Sequence, residues 1–152
     1  MRSPVRKKRA PCFTWLVSHH PTRQAPVELT HAYGLQLAEV RKLQGEMAEA
    51  ETLFRRSLSL GESTLGSHHV VTGARLHSLA DVLIAIGTKE AQVEAERLLR
   101  RAVRIFSEKY GANHPVTGNM MENLACLLDR RQTNDMETER LFRQSLKISE
   151  TS

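Results

Sequence analysis

The sequence is poor in aromatic residues, cysteine and long apolar runs, and each shortage removes a class of protein. Aromatics make up 5% of the 152 residues, so any core is aliphatic. Only two cysteines occur, Cys12 and Cys126, which excludes a disulfide-rich secreted scaffold. No apolar run approaches the roughly 18 residues that a membrane-spanning helix needs. What remains is 40% hydrophobic and 26% charged, the balance of a chain that folds around one core. Its length is that of one ordinary domain.

Acid is missing from one end. Residues 1–27 carry Arg2, Arg6, Lys7, Lys8, Arg9 and Arg23 and no acidic side chain, for a charge of +6. The other 125 residues carry 16 basic and 17 acidic side chains, for −1. The overall +5 therefore belongs to the tail. A specific nucleic-acid surface needs its basic excess in the folded part, so nucleic acid is not an expected partner. Pro4, Pro11, Pro21 and Pro26 punctuate the same tail, and each ring would break a helix. Residues 1–27 are expected to be largely disordered. Three meanings stay open: a solvated basic arm, a mitochondrial presequence whose prolines spoil the usual amphipathic helix, and a nuclear-import patch at Arg6-Lys7-Lys8-Arg9. The apolar stretch Cys12–Val17 is too short for a secretory signal.

The rest of the chain repeats itself. Leu37-Ala38-Glu39-Val40 recurs as Leu79-Ala80-Asp81-Val82 and Leu124-Ala125-Cys126-Leu127. Ala50-Glu51-Thr52-Leu53-Phe54-Arg55-Arg56-Ser57-Leu58 recurs as Ala95-Glu96-Arg97-Leu98-Leu99-Arg100-Arg101-Ala102-Val103. Its third copy is Thr138-Glu139-Arg140-Leu141-Phe142-Arg143-Gln144-Ser145-Leu146. Leu65-Gly66-Ser67-His68-His69-Val70-Val71-Thr72-Gly73 returns as Tyr110-Gly111-Ala112-Asn113-His114-Pro115-Val116-Thr117-Gly118. The spacing between copies is 42 to 45 residues.

Each unit reads as two helices. In the middle copy, Leu76, Leu79, Ala80, Leu83 and Ile84 form one helical stripe, which ends near Gly87. A second stripe runs over about 93–109, through Ala95, Leu98, Leu99, Ala102, Val103 and Phe106. His69 and His114 stand where an N-cap would be, and Pro115 suits a first helical turn. Small residues at Ala38, Ala80 and Ala125, at Ala50, Ala95 and Thr138, and at Ser57, Ala102 and Ser145 permit close helix contact. Phe54, Leu99 and Phe142 are expected in the core between neighbouring helices, and Cys126 as a buried thiol.

Small residue, glycine, small residue, aromatic or Leu, small residue resembles the tetratricopeptide repeat. The usual period is about 34 residues. The longer one here, with Arg-Arg-Ala/Ser-Leu/Val followed by Gly-x-x-His-Pro, is similar to the units of kinesin light chains and related scaffolds. The resemblance covers about 29–150. It implies an all-α fold, an α-solenoid of three antiparallel helix pairs (about 29–66, 70–111 and 115–149) within residues 28–150. The pattern is broken where Val70 replaces the proline, Gln132 the loop glycine and Thr138 an alanine, and where three residues are added around Ala91–Val93. The last unit is expected to pack least well.

The resemblance also implies a protein–protein interaction scaffold or adaptor that binds a peptide or helix in a groove lined by first helices. The family's inward positions fall on Leu35, Glu39 and Lys42, on Ala74, His77, Asp81 and Ile84, and on Asn119, Glu122, Cys126 and Asp129. Acid dominates that set, so a basic or mixed-charge protein partner is expected. The carboxylate clamp of some relatives is not rebuilt, because Glu39 and Ser78 stand where it needs Lys and an amide, and Asn119 and Asn123 do not suffice. No motif for phosphate binding, an acyl-transfer nucleophile or a His-Glu-x-x-His metal site occurs. Adjacent His68 and His69 would diverge by about 100° on a helix, and Cys12 with His19 and His20 would be too few ligands on a loose arm. The expectation is no enzyme, no cofactor and no metal, in the cytoplasm. Two alternatives stand beside it, a mitochondrial assembly factor and a fragment of a larger scaffold. The last helix, with Leu141, Phe142, Leu146 and Ile148, is expected to offer an apolar stripe for self-association or a partner.

Overall fold

The computed structural model describes residues 27–132 and 135–150, with side chains from Gly34 and from Met136 onward in the two stretches. Six helices follow one another, α1 Val27–Leu43, α2 Met47–Leu65, α3 Val70–Ile86, α4 Lys89–Tyr110, α5 Pro115–Arg131 and α6 Asp135–Glu150. No strand occurs among the described residues. Each helix packs chiefly on its neighbours in the chain, as expected of stacked hairpins that bury their stripes jointly. The basic tail, its proposed signals and the Cys12–His20 cluster lie outside the described residues.

The turns follow from local chemistry. Within each hairpin the chain reverses through a left-handed residue, Gly45 at φ 81°, Gly87 at 77° and Gln132 at 51°. Gln132 takes this conformation without being glycine and is held by its N–H donating to Asp129 O at 2.9 Å. Between hairpins, the Nδ1 atoms of His69 and His114 accept from the N–H groups of Val71 and Val116 at 3.1 and 3.2 Å. These caps satisfy donors that a helix start leaves open. The His114 ring also stacks on Tyr110, with centroids 4.8 Å apart. Thr72 and Thr117 are buried, and their hydroxyls donate to the carbonyls of Gly66 and Gly111 at 2.8 and 3.0 Å. The same device thus closes both inter-hairpin loops.

The core is aliphatic. Ala38, Ala50, Ala80, Ala95, Ala102 and Ala125 are wholly buried where helices approach. Phe54, Leu76, Leu79, Leu83, Leu99, Ile105, Leu127 and Leu128 fill the space between them, each stabilising by about 1.5–3 kcal/mol through burial. Gly73 lies where a Cβ would come within 3.1 Å of Phe106 and 3.2 Å of Ile105. Gly118 sits equally tight against Ile148. Gly61, inside α2, leaves room for the buried Arg75 guanidinium of α3, whose pKa burial pushes down.

Three expectations need correction. Helix α4 starts at Lys89, not near 93, because Thr88 caps it through a 3.2 Å bond from the Ala91 N–H. The added residues extend the helix by a turn, with Ala91 buried. Phe142 is 36% exposed, unlike its counterparts Phe54 and Leu99, because no described helix follows α6 to cover it. Cys126 is exposed rather than buried, since it shares its helix row with Glu39 and Asp81. Thr138 nonetheless fits its alanine slot and is buried, as is Ile148 on the inner side of α6.

Candidate functional site

The eleven residues expected to line a groove sit on the first helix of each pair, α1, α3 and α5, at matching repeat positions. Leu35, His77 and Glu122 form one row, Glu39, Asp81 and Cys126 a second, and Lys42, Ile84 and Asp129 a third. Ala74 and Asn119 form a fourth. None of the eleven belongs to the buried core. Leu35, Glu39, Lys42, His77, Asp81 and Ile84 are half-buried, and the α5 members Asn119, Glu122, Cys126 and Asp129 are exposed.

Charge on this face is graded along the array. Lys42 Nζ pairs with Glu39 Oε2 at 3.0 Å, so α1 is locally neutral. His77 Nε2 lies 3.7 Å from Asp81 Oδ1. The Asn123 amide N–H donates to that same ring nitrogen at 2.7 Å, which ties α5 to α3 across two pairs. Glu122 and Asp129 have no cationic partner among the described residues. The negative end of the face is therefore α5.

The opposite side carries an ion-pair ladder that sequence reading missed. Arg55 on α2 holds Glu51 of its own helix at 2.9 Å and Glu94 of α4 at 2.6 Å. One repeat later, Arg100 on α4 holds Glu96 at 3.0 Å and Glu137 of α6 at 2.5 Å. The hydrogen bond from Arg55 holds the Glu94 carboxyl below its ordinary pKa, and Glu94 in turn raises that of Arg55. Glu137 does the same for Arg100. Arg131 of α5 also reaches Glu96, and Arg101 joins Glu62 at 2.6 Å. The signal was present as the recurrence of Glu49, Glu94 and Glu137 one residue before each small residue of the second helices. This network fixes second helices against one another. Among the described residues, no group of three or more His, Cys, Asp or Glu could hold a metal ion, and no helix is long and apolar enough to cross a membrane.

Two family models, both described as Tetratricopeptide repeat, match residues 29–92 and 72–116, together more than half of the chain. The chain is a tetratricopeptide-repeat protein. Its relatives in known structure share the stacked-pair architecture. The crystal structure of BtubC (BKLC) from P. vanneervenii superposes with a TM-score of 0.78 at 16% identity, covering 92% of this chain and 54% of that one. Two crystal structures of the kinesin-light-chain-type, nearly identical TPR-like repeats of Podosopora anserina give TM-scores of 0.70 and 0.69 at 25% and 26% identity. They cover 84% and 82% of this chain and 57% and 56% of theirs. The tetratricopeptide-repeat chain thus spans little more than half the length of these three solved structures. No curated protein matches it. Tetratricopeptide repeats are protein–protein interaction modules, and the kinesin-light-chain-like fold is typically non-enzymatic.

Proposed function

We propose that the face built by α1, α3 and α5 docks a peptide or helical segment of a partner protein, in the manner of a scaffold or adaptor. Leu35, Glu39, Lys42, Ala74, His77, Asp81, Ile84, Asn119, Glu122, Cys126 and Asp129 form the docking surface. Stacked helix pairs curve, and their concave wall is an extended binding surface. The observation that carries the reading is the charge of that wall. Glu122 and Asp129 stand exposed with no cationic partner among the described residues, in the rows that also hold the half-buried apolar side chains of Leu35 and Ile84. Such a surface favours a basic or mixed-charge segment with an apolar anchor and repels acidic chaperone tails. The partner is a cytoplasmic protein in this reading. Cleavage of the tail near residues 20–28 inside mitochondria would replace it with the organelle assembly factor.

The test is affinity capture with the full chain and with an Asp81→Lys, Glu122→Lys double variant, followed by titration of the captured segment at several salt concentrations. The variant should bind at least about tenfold more weakly, with a flatter salt dependence. Equal affinity and equal salt slope would refute the assignment of this face.

A further inference from the structure

The two ends of the array are complementary, and we propose that the chain associates head to tail with a second copy of itself, α6 of one copy seating on α1 and α2 of the next. The inner junctions show the contact that would be repeated. Arg55 reaches forward to Glu94 and Arg100 to Glu137. The preceding residues, Phe54 and Leu99, are fully buried. By repeat offset, the third members of these rows are Arg143 and Phe142. Leu146 likewise follows Leu58 and Val103. On α6, Phe142 is 36% and Leu146 59% exposed. Arg143 meets only Glu139 of its own helix among the described residues, at 2.5 Å.

The other end offers the matching half. Glu49 is the first member of the row that continues in Glu94 and Glu137, the two acids that receive the forward-reaching arginines. Val40 is the first member of the row of Val82 and Leu127. Those two are buried, whereas Val40 is 47% exposed. Leu37 is half-buried where Leu79 and Leu124 are buried. Leu37, Arg41, Ala48, Glu49 and Leu53 line an open cleft of about 400 Å³ between α1 and α2. It lies at the level where each inner pair accepts the preceding second helix. Among the described residues, Glu46 and Glu49 both pair with Arg41 there, two acids to one cation, which favours Arg143. Apolar surface, a cleft and opposite charge therefore coincide in one repeat geometry, and a second copy satisfies all three.

Such a contact is heterologous, so each association leaves a fresh head and a fresh tail, and growth is open-ended. It uses faces other than the proposed groove and stands or falls without it. The test is light scattering and sedimentation of the full chain over a concentration series. The mass should rise with concentration past that of two copies. Glu49→Arg and Arg143→Glu each place like charges across every junction, and each should weaken association about tenfold or more. An equimolar mixture of the two variants should recover it, because every alternating junction again pairs opposite charges. Val40→Glu at the head and Leu146→Glu at the tail act on the apolar part and should have the same effect. All four positions are exposed, and circular dichroism verifies that the helices persist. A monomer at every concentration would overturn the proposal and leave the ends to another protein or a further repeat. A dimer indifferent to Glu49→Arg and Val40→Glu would overturn it too, since that is a tail-to-tail pair.

Discussion

Phe54 and Phe142 occupy the same repeat position in chemically similar helices, yet the fold treats them differently. Phe54 is fully buried between α2 and its neighbours, while Phe142 is about one-third exposed on the outer side of α6. Phe54→Ala removes a ring from a closed site, so the loss includes both transfer and cavity terms, about 3–5 kcal/mol. Phe142→Ala opens no closed cavity and forfeits only partial burial, about 1 kcal/mol. With a urea dependence near 2 kcal/mol per molar, the first variant should lower the unfolding midpoint by about 1.5–2.5 M and the second by about 0.5 M. Equilibrium urea unfolding followed by circular dichroism reads both. The comparison belongs at low protein concentration, where chains are separate. Equal midpoint losses there would refute the reasoning, because they would mean that repeat position rather than neighbouring helix decides burial.

Other perturbations probe single contacts. Gly73→Ala drives a methyl against Phe106 and Ile105 and should destabilise by about 1–3 kcal/mol. Gly34→Ala, in α1 with nothing within 4 Å, should instead stabilise by up to about 1 kcal/mol. Thermal melts yielding the same sign for both would contradict the packing account. His69→Ala and His114→Ala each remove a cap and should cost about 1 kcal/mol in chemical unfolding; no loss at either would deny the capping role. The Glu94 carboxyl is held below its ordinary pKa by Arg55. Its stabilisation is complete above the unfolded value near 4.3 and is lost as pH falls through the lower folded value. Stability should therefore decline more steeply in acid for the native chain than for Glu94→Gln, and parallel acid curves would count against the pair.

Periodicity made much of the fold legible. Apolar residues at helical spacing, recurring at 42 to 45 residues, mark the six helices, because burial of a stripe demands that spacing whatever the neighbours are. His69 and His114 were readable as caps for the same local reason. Features set by neighbours were harder to see. Phe142 carries the sequence signature of Phe54, and only the position of α6 makes it an exposed residue. The start of α4 depended on Thr88, whose capping hydroxyl outweighs the apparent insertion. The Arg55 and Arg100 ladder lacks an apolar period, so its partners emerged only when helices were set side by side. Arg75 was hidden likewise, since its burial depends on the absent side chain at Gly61. On the docking face, the rows could be counted from the sequence. The Asn123–His77 bond and the neutralisation of Glu39 by Lys42 required the structure.

The most direct test of the central claim is site-specific photo-crosslinking with the segment captured by the full chain. A crosslinker at Asn119 or Glu122, on the first helix of the third pair, should trap it. One at Arg97 or Arg104, on the exposed side of α4, should not. Trapping from Arg97 or Arg104 with none from Asn119 or Glu122 would contradict the account.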